Sequence, residues 1–188
     1  PLPILILTTS ILWGATDFEK GTVYYKNRHE GAQEINASTK NINKAIHHFE
    51  RAMKEPAFEL ESAVYLLKCY YYKAEFAIHN MEEKKRIFND GKTLGSRYIE
   101  LHPENVKFRY WYLVNLGSWA QVYGILTAAR EGVADQMKTH SEKIIELDAA
   151  YQDGGGYFML GAVHYKSPYI PFILSWPDND DAIKYLQK

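Results

Sequence analysis

The chain has 188 residues, of which 46% are hydrophobic and 24% are charged, a balance typical of a folded domain and not of a disordered segment. Its 22 basic and 23 acidic residues give a net charge of -1, so a nucleic acid is not an expected partner. A single cysteine, Cys69, excludes an intrachain disulfide and a cysteine-cluster metal site.

The first segment of the chain, Leu2 to Trp13, is uncharged and rich in apolar and β-branched residues. It is shorter than the roughly 20 residues that a membrane-spanning helix needs. One interpretation makes residues 1–15 a secretory signal, which predicts a periplasmic, secreted or extracellular protein. The alternative is an assembly segment that pairs as a strand with a neighbouring copy and gives a homo-oligomer. The candidate assembly residues are Ile4, Ile6, Ile11 and Trp13.

From residue 16 to residue 188 the apolar residues recur at helical spacing, and no stretch reads as a sustained strand. We therefore expect one all-α domain of about eight helices in antiparallel pairs. The last helix begins near Asp178 and has no terminating residue before Lys188, which predicts that the natural chain continues. The predicted helices begin near Phe18, Ile42, Phe58, Glu82, Glu104, Ala134, Tyr157 and Asp178.

The predicted helix pairs recur at a nearly constant interval. Pro56 and Pro103 follow the second and fourth helices, Leu101 and Leu147 end the fourth and sixth, and both intervals are about 46 positions. Such a period is the mark of stacked hairpins that bury their apolar faces against each other. The second helix resembles that of a tetratricopeptide repeat, so we expect a tetratricopeptide-like α-solenoid or bundle. The positions that carry this likeness are Ala45, Phe49, Ala52 and Pro56.

The fifth predicted helix, Glu104 to about Arg130, is the richest in large rings. We expect its tryptophans and tyrosines to share one broad face, with Trp111 and Trp119 both largely buried. These rings either fill the space between repeats or line a pocket, in which Arg109 would hold a carboxylate. Gly117, Ala120 and Gly124 form a strip of small residues on the same helix, where another backbone could come close. The candidate ligand-binding residues are Arg109, Trp111, Tyr112, Trp119, Tyr123 and Tyr157.

No catalytic motif is present in the sequence. The seven histidines never take the helical spacing with a glutamate that a zinc site needs, and there is no phosphate-binding loop. Gly154, Gly155 and Gly156 are predicted to form a turn and a helix cap. The sequence therefore predicts no catalytic residues, no metal site and no cofactor, and indicates a binding or assembly protein.

The last third of the chain has a pattern of turn residues and aromatic residues at Leu147, Asp148, Tyr151, Gly154, Gly155, Gly156, Tyr157, Leu160, Gly161, Tyr165, Pro168, Trp176, Pro177, Asp178, Asp181 and Ala182. Upstream, Pro103, Glu104 and Asn105 precede the aromatic fifth helix. This pattern resembles the T-component of tripartite ATP-independent periplasmic (TRAP) transporters, and the likeness extends over roughly residues 58–188. The resemblance implies a helical envelope protein, often self-associating, that works beside a solute-binding subunit and has an internal apolar passage.

Together these observations predict a non-enzymatic envelope or secreted protein that binds a partner protein, or a small apolar or carboxylate ligand, in support of solute uptake. The alternative function is a structural subunit that assembles into a ring or filament through its N-terminal segment.

Overall fold

The computed structural model describes residues 14–170 and 174–188, and within these ranges the fold is all α-helical. The expectation of an all-α fold with about eight helices is confirmed. The described α-helices are α1 (Asp17–Lys26), α2 (Thr39–Ala52), α3 (Glu59–Tyr72), α4 (Met81–Leu101), α5 (Val106–Tyr123), α6 (Ile125–Arg130), α7 (Val133–Leu147), α8 (Gly155–Lys166) and α9 (Asn179–Leu186).

Neighbouring helices pack side by side and form hairpins, as the sequence predicts. The pairs are α1 with α2, α3 with α4, α5 with α7 across the short helix α6, and α8 with α9. Successive hairpins join where α2 packs on α3, α4 on α5 and α7 on α8, and the first helices α3, α5 and α8 also contact one another in turn. The helices of the last two hairpins position the candidate site.

The helix boundaries follow from capping residues that the sequence displays. Thr16 and Glu19 form a capping box at the start of α1, since each side chain binds the backbone N–H of the other residue. Asn80 caps α4 through the backbone N–H of Glu83, 2.9 Å away, and Asp178 caps α9. These side chains satisfy donors that the first turn of a helix leaves free.

Two predicted helices differ from those observed. The third ends in a π-helical turn, Lys73–Ala77, and does not continue as regular α-helix to Ile78. The fifth does not run on to Arg130, because Gly124 adopts a φ of +86° that ends α5 and starts the short helix α6. A glycine in this conformation interrupts a helix that its neighbours would otherwise continue.

The core has two parts. The larger cluster joins α3, α4, α5, α7 and α8, whereas the smaller one joins α1, α2 and α3 around the fully buried Phe49. Gly91 and Gly95 of α4 let α5 approach closely: a Cβ at Gly95 would lie 2.8 Å from Cδ2 of Tyr112 and 3.2 Å from its Cα. The closest approach on α5 thus uses glycines of α4, and not the strip of small residues on α5 itself.

The three consecutive glycines serve three different purposes. Gly154 has a φ of +82° and precedes α8, which confirms the predicted turn and cap. A Cβ at Gly155 would lie 2.5 Å from Cε2 of Tyr110, and one at Gly156 would lie 2.9 Å from Cγ2 of Ile144. Only Gly154 needs to be glycine because of its backbone angle. Gly155 and Gly156 leave no room for a side chain, because α5 lies close to the first and α7 close to the second.

The candidate assembly residues Ile4, Ile6, Ile11 and Trp13 lie outside the described residues. Among the helices in the described ranges, none combines the length and the apolar character needed to cross a bilayer.

Candidate functional site

A cavity of about 760 Å³, partly open to solvent, lies between the helices of the last two hairpins. Its walls are α5, α6, α7 and α8, with Tyr71 of α3 at one side. Ser167, Pro168 and Leu174, from the connection between α8 and α9, complete the lining. This volume lies within the ~300–1,000 Å³ that is usual for small-molecule sites.

One face of α5 supplies a long wall of the cavity. Tyr110, Val114, Gly117 and Gln121 line it at intervals of three and four residues, which places them on a single stripe of the helix. Gly117 has room beside it, because an added Cβ would meet only Cε of Met137, at 3.9 Å. Gly117, Ala120 and Gly124 therefore border open space, and the prediction that a neighbouring backbone approaches this strip is wrong.

The opposite walls are almost entirely apolar. Met137 and Val133 of α7 are buried, as are Val163 of α8 and Leu174 beyond it. Leu174 is held by two backbone hydrogen bonds with Ile170, of 2.8 Å and 2.7 Å. A cavity with such walls favours an apolar body in its ligand, since water gains few hydrogen bonds there.

Two exposed apolar side chains stand at the edge of the cavity. Ile125 at the start of α6 is 56% exposed and Phe158 of α8 is 60% exposed, although both line the cavity. Large apolar side chains in water beside an apolar cavity mark its opening, through which a ligand can enter.

Lys166 at the end of α8 is the only residue with a formal charge among the described residues that line the cavity. No carboxylate of the described ranges lies within 4 Å of its ammonium group. The side chain is exposed and can turn toward the cavity. A ligand with an apolar body and one negative end matches this arrangement.

The structure corrects the role expected of Arg109. This side chain is 9% exposed, and its Nε and Nη2 both donate to the carbonyl of Pro103, at 3.0 Å and 2.6 Å. Its Nη1 contacts Nδ1 of His140 at 2.7 Å. Burial and the Arg109 charge lower the pKa of His140 to about 4, so this imidazole is neutral at pH 7. Arg109 fixes the turn before α5 and does not reach the cavity.

Tyr112, Trp119 and Tyr123 also lie away from the cavity. The hydroxyl of Tyr112 donates to Oε1 of Gln136, at 2.6 Å. Trp119 is 3% exposed and stacks on Tyr123 with 4.4 Å between ring centroids. These rings face α4 and α7, so they fill the space between helices, as one of the two interpretations of the aromatic face predicts.

Of the six candidate ligand-binding residues, Trp111 alone lines the cavity. It is rotated by about 100° from Tyr112 around the helix, so it leaves the face that the other rings share. Trp111 is half-buried and packs against the core, whereas Trp119 is buried, so the prediction that both rings are largely buried is confirmed for Trp119 and only in part for Trp111. Tyr157, in the first turn of α8, is half-buried and does not line the cavity.

Apart from Trp111, the residues that form the cavity were not among the predicted ligand-binding residues. Their signal in the sequence is a second stripe of α5, with Tyr110, Val114, Gly117 and Gln121 at helical spacing, which carries fewer large rings than the first. The methionines Met137 and Met159 carried no signal, because such side chains are as common in solid cores. Within the described ranges, no group of three or more histidine, cysteine, aspartate or glutamate residues could hold a metal ion.

Comparison with known protein families and curated proteins finds no relative of this chain. No known protein family matches the chain, and no curated protein matches it significantly.

Proposed function

We propose that this chain is a non-enzymatic binding protein of the cell envelope or exterior, which holds a small apolar ligand with one carboxylate in support of solute uptake. The observation that carries the proposal is the cavity of about 760 Å³ with its apolar lining. The ligand would place its apolar body between α5 and α8 and its carboxylate beside Lys166.

The cavity supports binding better than it supports packing. The cavity is open to solvent at one edge, so water occupies it when no ligand is bound. Its apolar walls bind that water poorly, and an apolar ligand that displaces it gains binding free energy. The exposed Ile125 and Phe158 at its edge supply a route of entry.

The place in solute uptake rests on the resemblance to the T-component of TRAP transporters. An internal apolar passage and a solute-binding subunit as partner are what that resemblance implies. The cavity agrees with the first implication, and we propose the second on the resemblance alone. In this proposal the protein receives its ligand from, or passes it to, such a subunit.

The test uses decanoate as the probe and the fluorescence of the tryptophans as the signal. Trp111 lines the cavity, whereas Trp119 is buried on the other side of α5. We expect decanoate to change the emission of the natural protein and of Trp119→Phe, while Trp111→Phe loses the change. An equal response in both variants would place the ligand elsewhere, and no response in either would contradict the proposal.

A cavity-filling variant provides the second arm. Gly117→Leu projects a side chain into the open space beside α5 and should weaken decanoate binding at least about tenfold, since the ligand loses the room that it needs. Gly117→Ala is the matched control, because its Cβ meets only Met137 at 3.9 Å. Unchanged binding by Gly117→Leu, with its helical circular dichroism intact, would show that the cavity is not the site.

A further inference from the structure

A second feature lies on the first helices of the earlier hairpins, where two cations are framed by aromatic rings. The guanidinium carbon of Arg28, just after α1, lies 4.3 Å from the ring centroid of Tyr25 and 5.0 Å from that of Tyr72. The ammonium of Lys68 in α3 lies 4.8 Å from the ring centroid of Tyr65. Rings hold cations in this way through the negative potential of their faces.

The two cations belong to one continuous strip. Tyr25 meets Tyr65 edge to face with 5.4 Å between centroids, which joins the Arg28 end of the strip to Lys68. The Lys68 ammonium also lies 5.3 Å from the ring centroid of Trp111 of α5. All of these side chains are half-buried, so solvent reaches the strip along its length. We call it the cationic strip.

Neither cation of the strip has an acidic partner. Within residues 14–170 and 174–188, no carboxylate lies within 4 Å of Arg28 or Lys68. Glu61 lies on the same helix as Lys68, but it forms an ion pair with Lys107 at 2.5 Å. The chain as a whole is nearly neutral, so two cations on one strip that form no ion pair within the described ranges are not a consequence of its composition.

The surroundings make these charges expensive to keep. Burial lowers the pKa of Lys68, which means that the protein stabilises the ammonium less well than water does. Nε of Arg28 is buried and has no hydrogen-bond partner in the described ranges. Nη1 of Arg28 donates to the carbonyl of Tyr25 at 2.9 Å, but within the described ranges neither cation has an anionic partner. A half-buried cation without an anionic partner costs stability, and an anionic ligand would offset that cost.

We propose that the cationic strip binds an acidic peptide segment of a partner protein, with one carboxylate at Lys68 and a second at Arg28. Two tyrosine rings lie between the cations, so a ligand needs two negative groups held apart. An extended peptide provides them, since alternate side chains repeat about every 7 Å on the same side of the backbone. The rings between the cations would pack against the apolar parts of the same segment.

This site is separate from the cavity, although Trp111 borders both. Lys68 and Arg28 do not line the cavity, and the proposal does not depend on what the cavity holds. The experiment therefore changes the cations and leaves Trp111 in place.

The test measures the fluorescence anisotropy of a fluorescein-labelled heptapeptide with glutamate and glycine in alternation. A second peptide has glutamine in place of each glutamate. We expect saturable binding of the glutamate peptide that weakens as salt is added, and none of the glutamine peptide. Lys68→Met and Arg28→Met should each weaken binding about tenfold, because each removes one charged hydrogen-bonding partner.

Lys44→Met is the matched control. The Lys44 ammonium lies 4.9 Å from the ring centroid of Tyr24, but the side chain is exposed on α2 and outside the strip. This variant should bind as the natural protein does. The melting temperature is an independent readout. Lys68→Met removes a poorly solvated charge and should raise the melting temperature, whereas the same substitution would lower it if Lys68 had a purely structural role.

Three results would overturn the proposal. They are equal binding of the glutamate and glutamine peptides, equal loss of binding in Lys44→Met and Lys68→Met, and binding to vesicles of phosphatidylglycerol that the glutamate peptide does not compete. The last would assign the strip to a membrane surface. If Lys68→Met loses its helical circular dichroism, Lys68→Gln takes its place, because it removes the charge and keeps a polar end.

Discussion

Two glycines at the centre of the fold should respond differently to the same substitution. Alanine is more favourable than glycine inside a helix by about 0.8–1 kcal/mol. At Gly117 the new Cβ would meet only Cε of Met137, at 3.9 Å, so the helix gains this amount at no steric cost. At Gly95 it would lie 2.8 Å and 2.9 Å from side-chain atoms of Tyr112 and 3.2 Å from the Cα of that residue.

Overpacking of this kind costs about 1–3 kcal/mol, because the backbone of α5 cannot move aside as the end of a flexible side chain can. Gly95→Ala should therefore be between neutral and about 2 kcal/mol less stable than the natural protein, after the helix preference is included. The two variants should differ by about 1–3 kcal/mol in the free energy of unfolding, with Gly117→Ala the more stable.

Urea denaturation followed by circular dichroism at 222 nm measures the difference directly, with the slope of the transition as a check that both variants unfold in the same way. Equal stabilisation of both variants would refute the close contact between α4 and α5. Destabilisation of Gly117→Ala would refute the open space beside α5, and with it the position of the cavity.

Trp119→Ala should lower the free energy of unfolding by about 3–5 kcal/mol, measured by urea titration, and Trp111→Ala by clearly less, because only Trp119 is buried. Equal losses would contradict this assignment of the two faces of α5. His140 has its pKa lowered from 6.5 to about 4 in the folded protein, so the unfolded chain binds the extra proton first and stability should fall as the pH drops from about 6.5 toward 4. Replacing this histidine with glutamine should flatten the pH dependence of the melting temperature in that window, and an unchanged slope would show that another group causes it. Gly154→Ala should lower the free energy of unfolding by about 1 kcal/mol, because a residue with a Cβ is strained at a φ of +82°. A melting temperature equal to that of the natural protein would contradict the positive φ.

The helices could be predicted because their signals are local. Apolar spacing acts within one or two turns, and both the prolines that follow helices, such as Pro56 and Pro103, and the hairpin period are visible along the chain. The break at Gly124 was harder to predict, because an isolated glycine is compatible with a continuing helix and only its φ of +86° ends α5.

The cavity could not be predicted, because it depends on how helices distant in the sequence pack. Large rings such as Trp119 suggested a pocket, yet a large ring fills space more often than it lines it. Arg109 similarly suggested a carboxylate site, but its partner is the carbonyl of Pro103, which no side-chain pattern reveals. The face that does line the cavity carries a glycine, Gly117, and an absence of side chain is a weak signal in a sequence.

The crystal structure of the protein with 10-bromodecanoate bound tests the central claim most directly, because the anomalous signal of bromine locates the end of the apolar chain. The account predicts a bromine peak between α5 and α8, near Gly117 and Met159, with the carboxylate oriented toward Lys166. A peak on another surface of the molecule, or an empty cavity in crystals grown at a saturating concentration of the ligand, would contradict it.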